Sequence, residues 1–271
     1  MFSDLALSRR LERAEGYASA QFAAARRRLW PDCPAEWLEV AGVFAVFDGA
    51  DSPVTQSFGL GVVEPLSLTS LQGVERFFFD RGVAAVHEVS PHAGVAAFDL
   101  LCSRNYRPIE ISNVLYRGVE KIGAEENDSL RVRVIGPEES HLFAAVSARG
   151  WGQEHPELLD FLSQIGLIAT ARHGGPCFIG ETDGVPGAAG VLCIHDGVAL
   201  FGGSATVPEL RRRGLQAALL RARMRYAFEQ GCDLAMMVAA PGSDSQRNAE
   251  RNGFQIAYTR TKWQSSRPVQ G

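Results

Sequence analysis

Lysine is almost missing from this chain. Among 27 basic residues it stands only at 121 and 262, so nearly every cation is an arginine. No Gly-Lys-Ser/Thr occurs, which removes a nucleotide-binding P-loop, whose lysine reaches the phosphates. Cysteine is sparse and odd in number: five residues, at 33, 102, 177, 193 and 232. They form neither a CxxC pair nor a Cys/His cluster, so reduced thiols and no metal site are expected. No run of 18 uncharged apolar residues is present, so no membrane span is expected. The first residues read as an amphipathic helix with Arg9, Arg10, Glu12 and Arg13 rather than a signal peptide, and a cytoplasmic location is expected. Nor is there an excess of positive charge. The formal balance is −4, whereas a general nucleic-acid binder is basic.

What is present is enough hydrophobic residue for real cores and enough length, 271 residues, for two domains of ordinary size. The periodicity predicts a helix over 5–29, closed by Pro31 and Pro34. Strands follow over 40–47 and 56–64, a helix over 66–81, a strand over 83–89, a short helix over 91–103 and a strand over 109–116. The polar stretch 119–128 reads as a linker. Beyond it come a strand over 130–135, helices over 138–149 and 156–169, and strands over 177–182, 187–195 and 198–206. Asp183-Gly184 and Asp196-Gly197 separate those three strands and are strong hairpin signals. A helix over 215–230, a strand over 233–240, a helix over 243–251 and a strand over 255–263 complete the chain.

The two halves rhyme. One ends strand, Ser90-Pro91, helix, Arg104-Asn105-Tyr106, strand; the other ends strand, Ala240-Pro241, helix, Arg251-Asn252-Gly253-Phe254, strand. The expectation is two copies of one α+β fold in tandem, over residues 1–122 and 129–271, each a mixed, mostly antiparallel sheet flanked by helices.

The chemistry concentrates after the strand 198–206. Val207-Pro208-Glu209-Leu210 leads into Arg211-Arg212-Arg213-Gly214, and Leu215-Gln216-Ala217 opens a helix. The first N–H groups of a helix lack internal partners and, with the helix dipole, attract an anion. A glycine at the turn lets a diphosphate approach the backbone, and flanking guanidiniums add charge-assisted contacts. A solvated surface helix would show the same residues. Leu215, Leu219, Ala222 and Tyr226 form the expected packed stripe, with Arg221, Arg223 and Arg225 mostly away from it.

This segment resembles the acetyl-CoA motif of the GCN5-related N-acetyltransferase (GNAT) superfamily, Arg/Gln-x-x-Gly-x-Gly/Ala between a strand and a helix. It stands here as Arg211-Arg212-Arg213-Gly214-Leu215-Gln216. Gln216 replaces the final Gly/Ala, so its backbone amide still donates while its side chain must turn aside. The resemblance implies a pyrophosphate site from Arg211 to Ala217, backbone contacts from Thr206 and Val207, and a cofactor contact from Asn248. It implies acetyl-CoA as cosubstrate and direct transfer to an amine of a small molecule or peptide. A monomer or homodimer is expected, with neither nucleic acid nor membrane as partner.

The family's usual tyrosine acid lies four residues before the Gly of Gly-Phe, and that position here is Ala249. Tyr258 is a substitute candidate, with Ser243 and Ser245 weaker ones. Glu154 and His155 are candidate bases. The absent tyrosine motivates an alternative, a non-catalytic CoA-binding regulator. In the N-terminal half, Glu64-Pro65-Leu66-Ser67 stands where the arginine loop would be, so that copy is expected to be degenerate.

Overall fold

The computed structural model describes residues 3–123, 129–152 and 156–266. By its internal contacts the chain divides into two compact units, residues 1–117 with 236–271, and residues 118–235. Elements are numbered along the whole chain.

The first unit opens with α1 (Leu5–Leu29), where Asp4 accepts the N–H of Leu7 and caps the helix. Leu7, Leu11, Ala14, Ala18 and Phe22 lie buried along one stripe. The segment expected as one strand over 40–47 is instead the turn and second arm of a hairpin, β1 (Glu36–Val40) and β2 (Val43–Phe47). Ala41 and Gly42 make its turn at φ 51° and 73°. An alanine seldom takes positive φ, so the turn carries little sequence signal. The strand expected over 56–64 is only β3 (Gln56–Phe58), because left-handed Gly59 and Gly61 break it. The unit continues with α2 (Leu68–Phe79), β4 (Val86–Val89), α3 (Val95–Ser103) and β5 (Tyr106–Gly118). It is completed from the far end of the chain by β10 (Leu234–Ala239, from Met236 on), α7 (Asp244–Arg251) and β11 (Gln255–Ser265).

The strand order in this unit is β1-β2-β3-β4-β11-β5-β10. β3 and β4 meet in parallel through Ser57 and His87, while β11 is antiparallel to both β4 and β5. That insertion places Thr261 opposite Val89 and Thr259 opposite Asn113. The expected domain limits count residues 236–271 with the C-terminal half. The compact units count them with the N-terminal residues, since β11 hydrogen-bonds into that sheet.

Two polar networks lie in this core. Arg260, 2% exposed, donates to Glu12 and to both carboxylate oxygens of Glu15, and pairs with Glu88. His87 bridges the Ser57 hydroxyl at 2.6 Å and the Tyr106 hydroxyl at 3.0 Å. Tyr106 donates to Glu75, which also receives a bidentate pair of bonds from Arg104. Burial drives the His87 pKa down to about 3, so the ring is neutral.

The second unit holds β6 (Leu130–Val134), α4 (Ser140–Trp151), α5 (Leu159–Thr170), β7 (Cys177–Thr182), β8 (Val185–His195), β9 (Val198–Thr206) and α6 (Leu215–Glu229). Its sheet runs β9-β8-β7-β6, antiparallel throughout. Both Asp-Gly hairpins form as expected, with Asp183-Gly184 at φ 50° and 76° and Asp196-Gly197 at 46° and 74°. Phe143, Ile168, Phe178, Ile179, Leu192, Leu219 and Met224 are buried core residues. Among the described residues, no helix is long and apolar enough to cross a membrane.

Candidate functional site

β9 ends at Thr206, opposite Ala188, and Val207 closes the ladder by donating its N–H to Gly187 O at 2.9 Å. A single 3-10 turn, Pro208–Leu210, then reverses the chain. Arg211 turns back on this loop. Its Nε donates to Thr206 O and its Nη2 to Gly150 O, both at 3.2 Å. Gly150, near the end of α4, lets that helix lie close against β9, since a Cβ there would stand 2.6 Å from Ala205 Cβ.

Arg212 has φ 62° and Gly214 φ 84°. A left-handed arginine costs about 1–2 kcal/mol, so the surrounding contacts must hold it there. Arg212, Arg213 and Gly214 are exposed between strand and helix. No side chain caps α6; Gly214 occupies the cap position and its carbonyl accepts from Ala218. The first-turn amides of Leu215, Gln216 and Ala217 therefore stand ahead of the helix's own hydrogen bonds. Gln216 turns its side chain onto the strand end, donating Nε2–H to Thr206 Oγ1 at 2.6 Å. The loop is thus tied at both ends to Thr206, while two arginines point outward at the positive end of a 15-residue helix.

The expected arrangement of α6 needs one correction. Its buried residues are Leu215, Leu219, Leu220, Arg223, Met224 and Ala227. Ala222 and Tyr226 are only half-buried, and Arg223 is 2% exposed rather than turned outward. Its polarity argued for the surface, and nothing in helical periodicity alone marks an arginine for burial. The one clue is Gly190 in the strand beneath. A Cβ on Gly190 would meet Arg223 Cζ at 3.1 Å.

The remaining candidates belong to the first unit or are not described. Asn248, half-buried on α7, accepts through its carbonyl from Asn252 N–H and Nδ2–H. Ser243 caps α7 by accepting from Gln246 N–H, while Ser245 is exposed. Ala249 is fully buried. Tyr258 is buried on β11 and donates its hydroxyl to Glu12 Oε1 at 2.9 Å. Burial, reinforced by the Glu12 carboxyl, raises its pKa well above the ordinary tyrosine range. Glu154 and His155 lie outside the described residues.

Residues 140–254 match the model of the Acetyltransferase (GNAT) family. A GCN5-related N-acetyltransferase from Kribbella flavida superposes with a TM-score of 0.63 at 18% identity, over 93% of this chain and 97% of that one. One from Sphaerobacter thermophilus gives 0.54 at 18% identity, over 86% and 76%. A tandem GNAT protein from the clavulanic acid biosynthesis pathway gives 0.53 at 12% identity, over 93% and 96%. No curated protein matches. Residues 140–254 belong to the GNAT acetyltransferase family.

The fold is accordingly α+β of the tandem GNAT kind. The GNAT segment runs from the first residue of α4 to Phe254 and contains the whole loop Thr206–Ala217 as well as Asn248 and Ala249. Tyr258 lies four residues beyond it. Each half also closes its last helix with a left-handed residue before an aromatic one, Asn105 (φ 60°) before Tyr106 and Gly253 (φ 80°) before Phe254.

Proposed function

We propose that this chain is an N-acetyltransferase that moves an acetyl group from acetyl-CoA directly to a primary amine of a small molecule or to a terminal amine. The observation that carries it is the helix α6, uncapped by any side chain and preceded by left-handed Gly214 and the exposed Arg212 and Arg213, within a GNAT segment. Those amides and guanidiniums suit a pyrophosphate. Thr206 and Val207, at the strand end, would offer backbone groups to the pantetheine arm, and Asn248 a further contact. The amine lone pair attacks the thioester carbonyl, the C–S bond breaks, the ammonium gives up a proton and the thiolate takes one. Tyr258, Glu154 and His155 are the proposed proton-transfer candidates. We place the protein in the cytoplasm, as a monomer or homodimer.

The N-terminal unit is the degenerate copy in this reading. Its α2 is capped by its own Ser67, which accepts Ser70 N–H at 3.1 Å while Ser70 Oγ accepts from Ser67 N–H. Two of the amides an anion could use, those of Ser67 and Ser70, are engaged, and Glu64 stands just ahead of them.

A second reading, a non-catalytic CoA-binding regulator, is favoured by buried Ala249 at the usual acid position and by the engagement of Tyr258 with Glu12. Calorimetry with acetyl-CoA, then thiol release over a panel of amines, separates the two. Binding without turnover on any amine selects the regulator. No binding, with Arg213→Ala and Gly214→Trp indistinguishable from the parent, removes both.

A further inference from the structure

Arg223 is among the largest fully buried side chains of the protein. A wholly buried guanidinium is costly unless its donors are satisfied. Its Nη1 donates to Val191 O at 3.1 Å and to Gly202 O at 3.3 Å, and its Nε to Leu219 O at 3.3 Å. Its Cζ lies 5.0 Å from the centroid of Phe201. Burial lowers its pKa to about 10, which leaves it charged at neutral pH.

The two strand carbonyls are in a telling place. Ala189 faces Ala205 and Val191 faces Gly202, so β9 carries one more residue than β8 between those pairs. This is a bulge, and Gly203 takes φ 57° within it. A bulge disrupts the ladder and leaves backbone groups in need of partners. Arg223 supplies one N–H direction to a carbonyl on each strand. Gly190 makes the space, as noted, by lacking a Cβ. Three residues past Gly203, β9 ends at Thr206, to which both Arg211 and Gln216 are anchored. Arg223 itself belongs to α6, whose first turn begins at Leu215.

We propose that Arg223 is a positioning residue for the donor loop: it pins the β9 bulge to α6 and so fixes Thr206 relative to the first turn of that helix, an inference that rests on the acetyl-CoA reading of the loop. It touches no part of the proposed pyrophosphate site and acts through the strand.

Arg223→Lys, Arg223→Met and Gly190→Ala test this. Lysine keeps the charge but loses the fork; methionine loses both; the alanine keeps Arg223 and crowds it. Melting curves first set a temperature at which each variant is folded. At that temperature, acetyl-CoA affinity is measured by calorimetry and amide exchange is followed without ligand. We expect affinity to fall about ten-fold in Arg223→Met and Gly190→Ala, and less in Arg223→Lys. Exchange should quicken at 203–207 while β7 amides stay as in the parent. A merely structural arginine would lower the melting temperature and leave both readouts at the parent's values, which would overturn the inference. Should Arg223→Met not fold, the other two variants decide it. A parent that fails to bind acetyl-CoA refutes the donor-site reading and this role with it, whereas a binding parent with unaffected variants refutes this role alone.

Discussion

Gln216 Nε2 donates to Thr206 Oγ1 at 2.6 Å and thereby joins the two ends of the candidate phosphate loop. The residue that departs from the family pattern is therefore a tie across the loop. A glycine or alanine there would leave the Thr206 hydroxyl to other partners. The pair should be coupled. Gln216→Ala and Thr206→Val each remove a bond worth about 1 kcal/mol, roughly five-fold in affinity. The double variant should bind acetyl-CoA about as well as either single one. Strictly additive losses in a calorimetric double-mutant cycle would show that the tie does not hold the loop.

The three arginines should not behave alike. Arg212 and Arg213 are exposed, and removing either charge should weaken acetyl-CoA about ten-fold, as expected for a charge-assisted contact. That affinity should fall as salt rises. Arg211 is bonded to Thr206 O and Gly150 O, so Arg211→Ala should also lower the melting temperature. Equal melting temperatures for all three alanine variants would contradict this division.

Tyr258 offers a test of its role. Its hydroxyl bonds Glu12, and its raised pKa keeps the proton in place. Tyr258→Phe should cost about 1 kcal/mol of stability. A kcat above a tenth of the parent's would remove Tyr258 from the proton-transfer candidates. A fall of about a hundred-fold in kcat with an unchanged melting temperature would make Tyr258 the acid.

Acid should destabilise the first unit through His87. Its pKa falls from an ordinary value of 6.5 to about 3 on folding. Between those values the unfolded chain binds a proton that the folded chain refuses. Stability is thus intact above pH 6.5 and lost progressively toward pH 3, at up to about 1.4 kcal/mol per pH unit. His87→Gln should flatten the melting temperature between pH 6.5 and pH 4. An unchanged slope would place the acid sensitivity elsewhere.

Arg260 holds Glu12, Glu15 and Glu88 in one buried cluster. Arg260→Met leaves Glu12 and Glu15 without their cation, Glu88 keeping Lys262 at 3.4 Å, and should cost about 3–5 kcal/mol. Denaturant titration at neutral pH reads this directly. A loss under 1 kcal/mol would mean that the cluster contributes little.

Much of this was legible in the sequence because it is local. Periodicity located α1 and α6, and the Asp-Gly pairs located two hairpins. The strand–arginine–glycine–helix order located the loop. What stayed hidden was non-local or against residue type. Nothing near Gln255–Ser265 announces that it pairs with Val86–Val89 and Tyr106–Gly118. Glu12 and Arg260 are 248 positions apart in the chain yet share a hydrogen bond. Ala41 turns at a φ that alanine avoids, and Arg223 is buried although it is charged. Gln216 was visible as a departure, but its partner Thr206 could be named only from coordinates.

The insertion of β11 between β4 and β5 has a consequence for synthesis. Residues 118–235 form their unit from one unbroken stretch, so it is available to fold as soon as it leaves the ribosome. Residues 1–117 must wait. Their sheet lacks the strand between β4 and β5 until residues 255–265 have been translated and have cleared the exit tunnel. The earlier residues are thus the later to mature, and a message truncated just before codon 255 would leave them with two open strand edges.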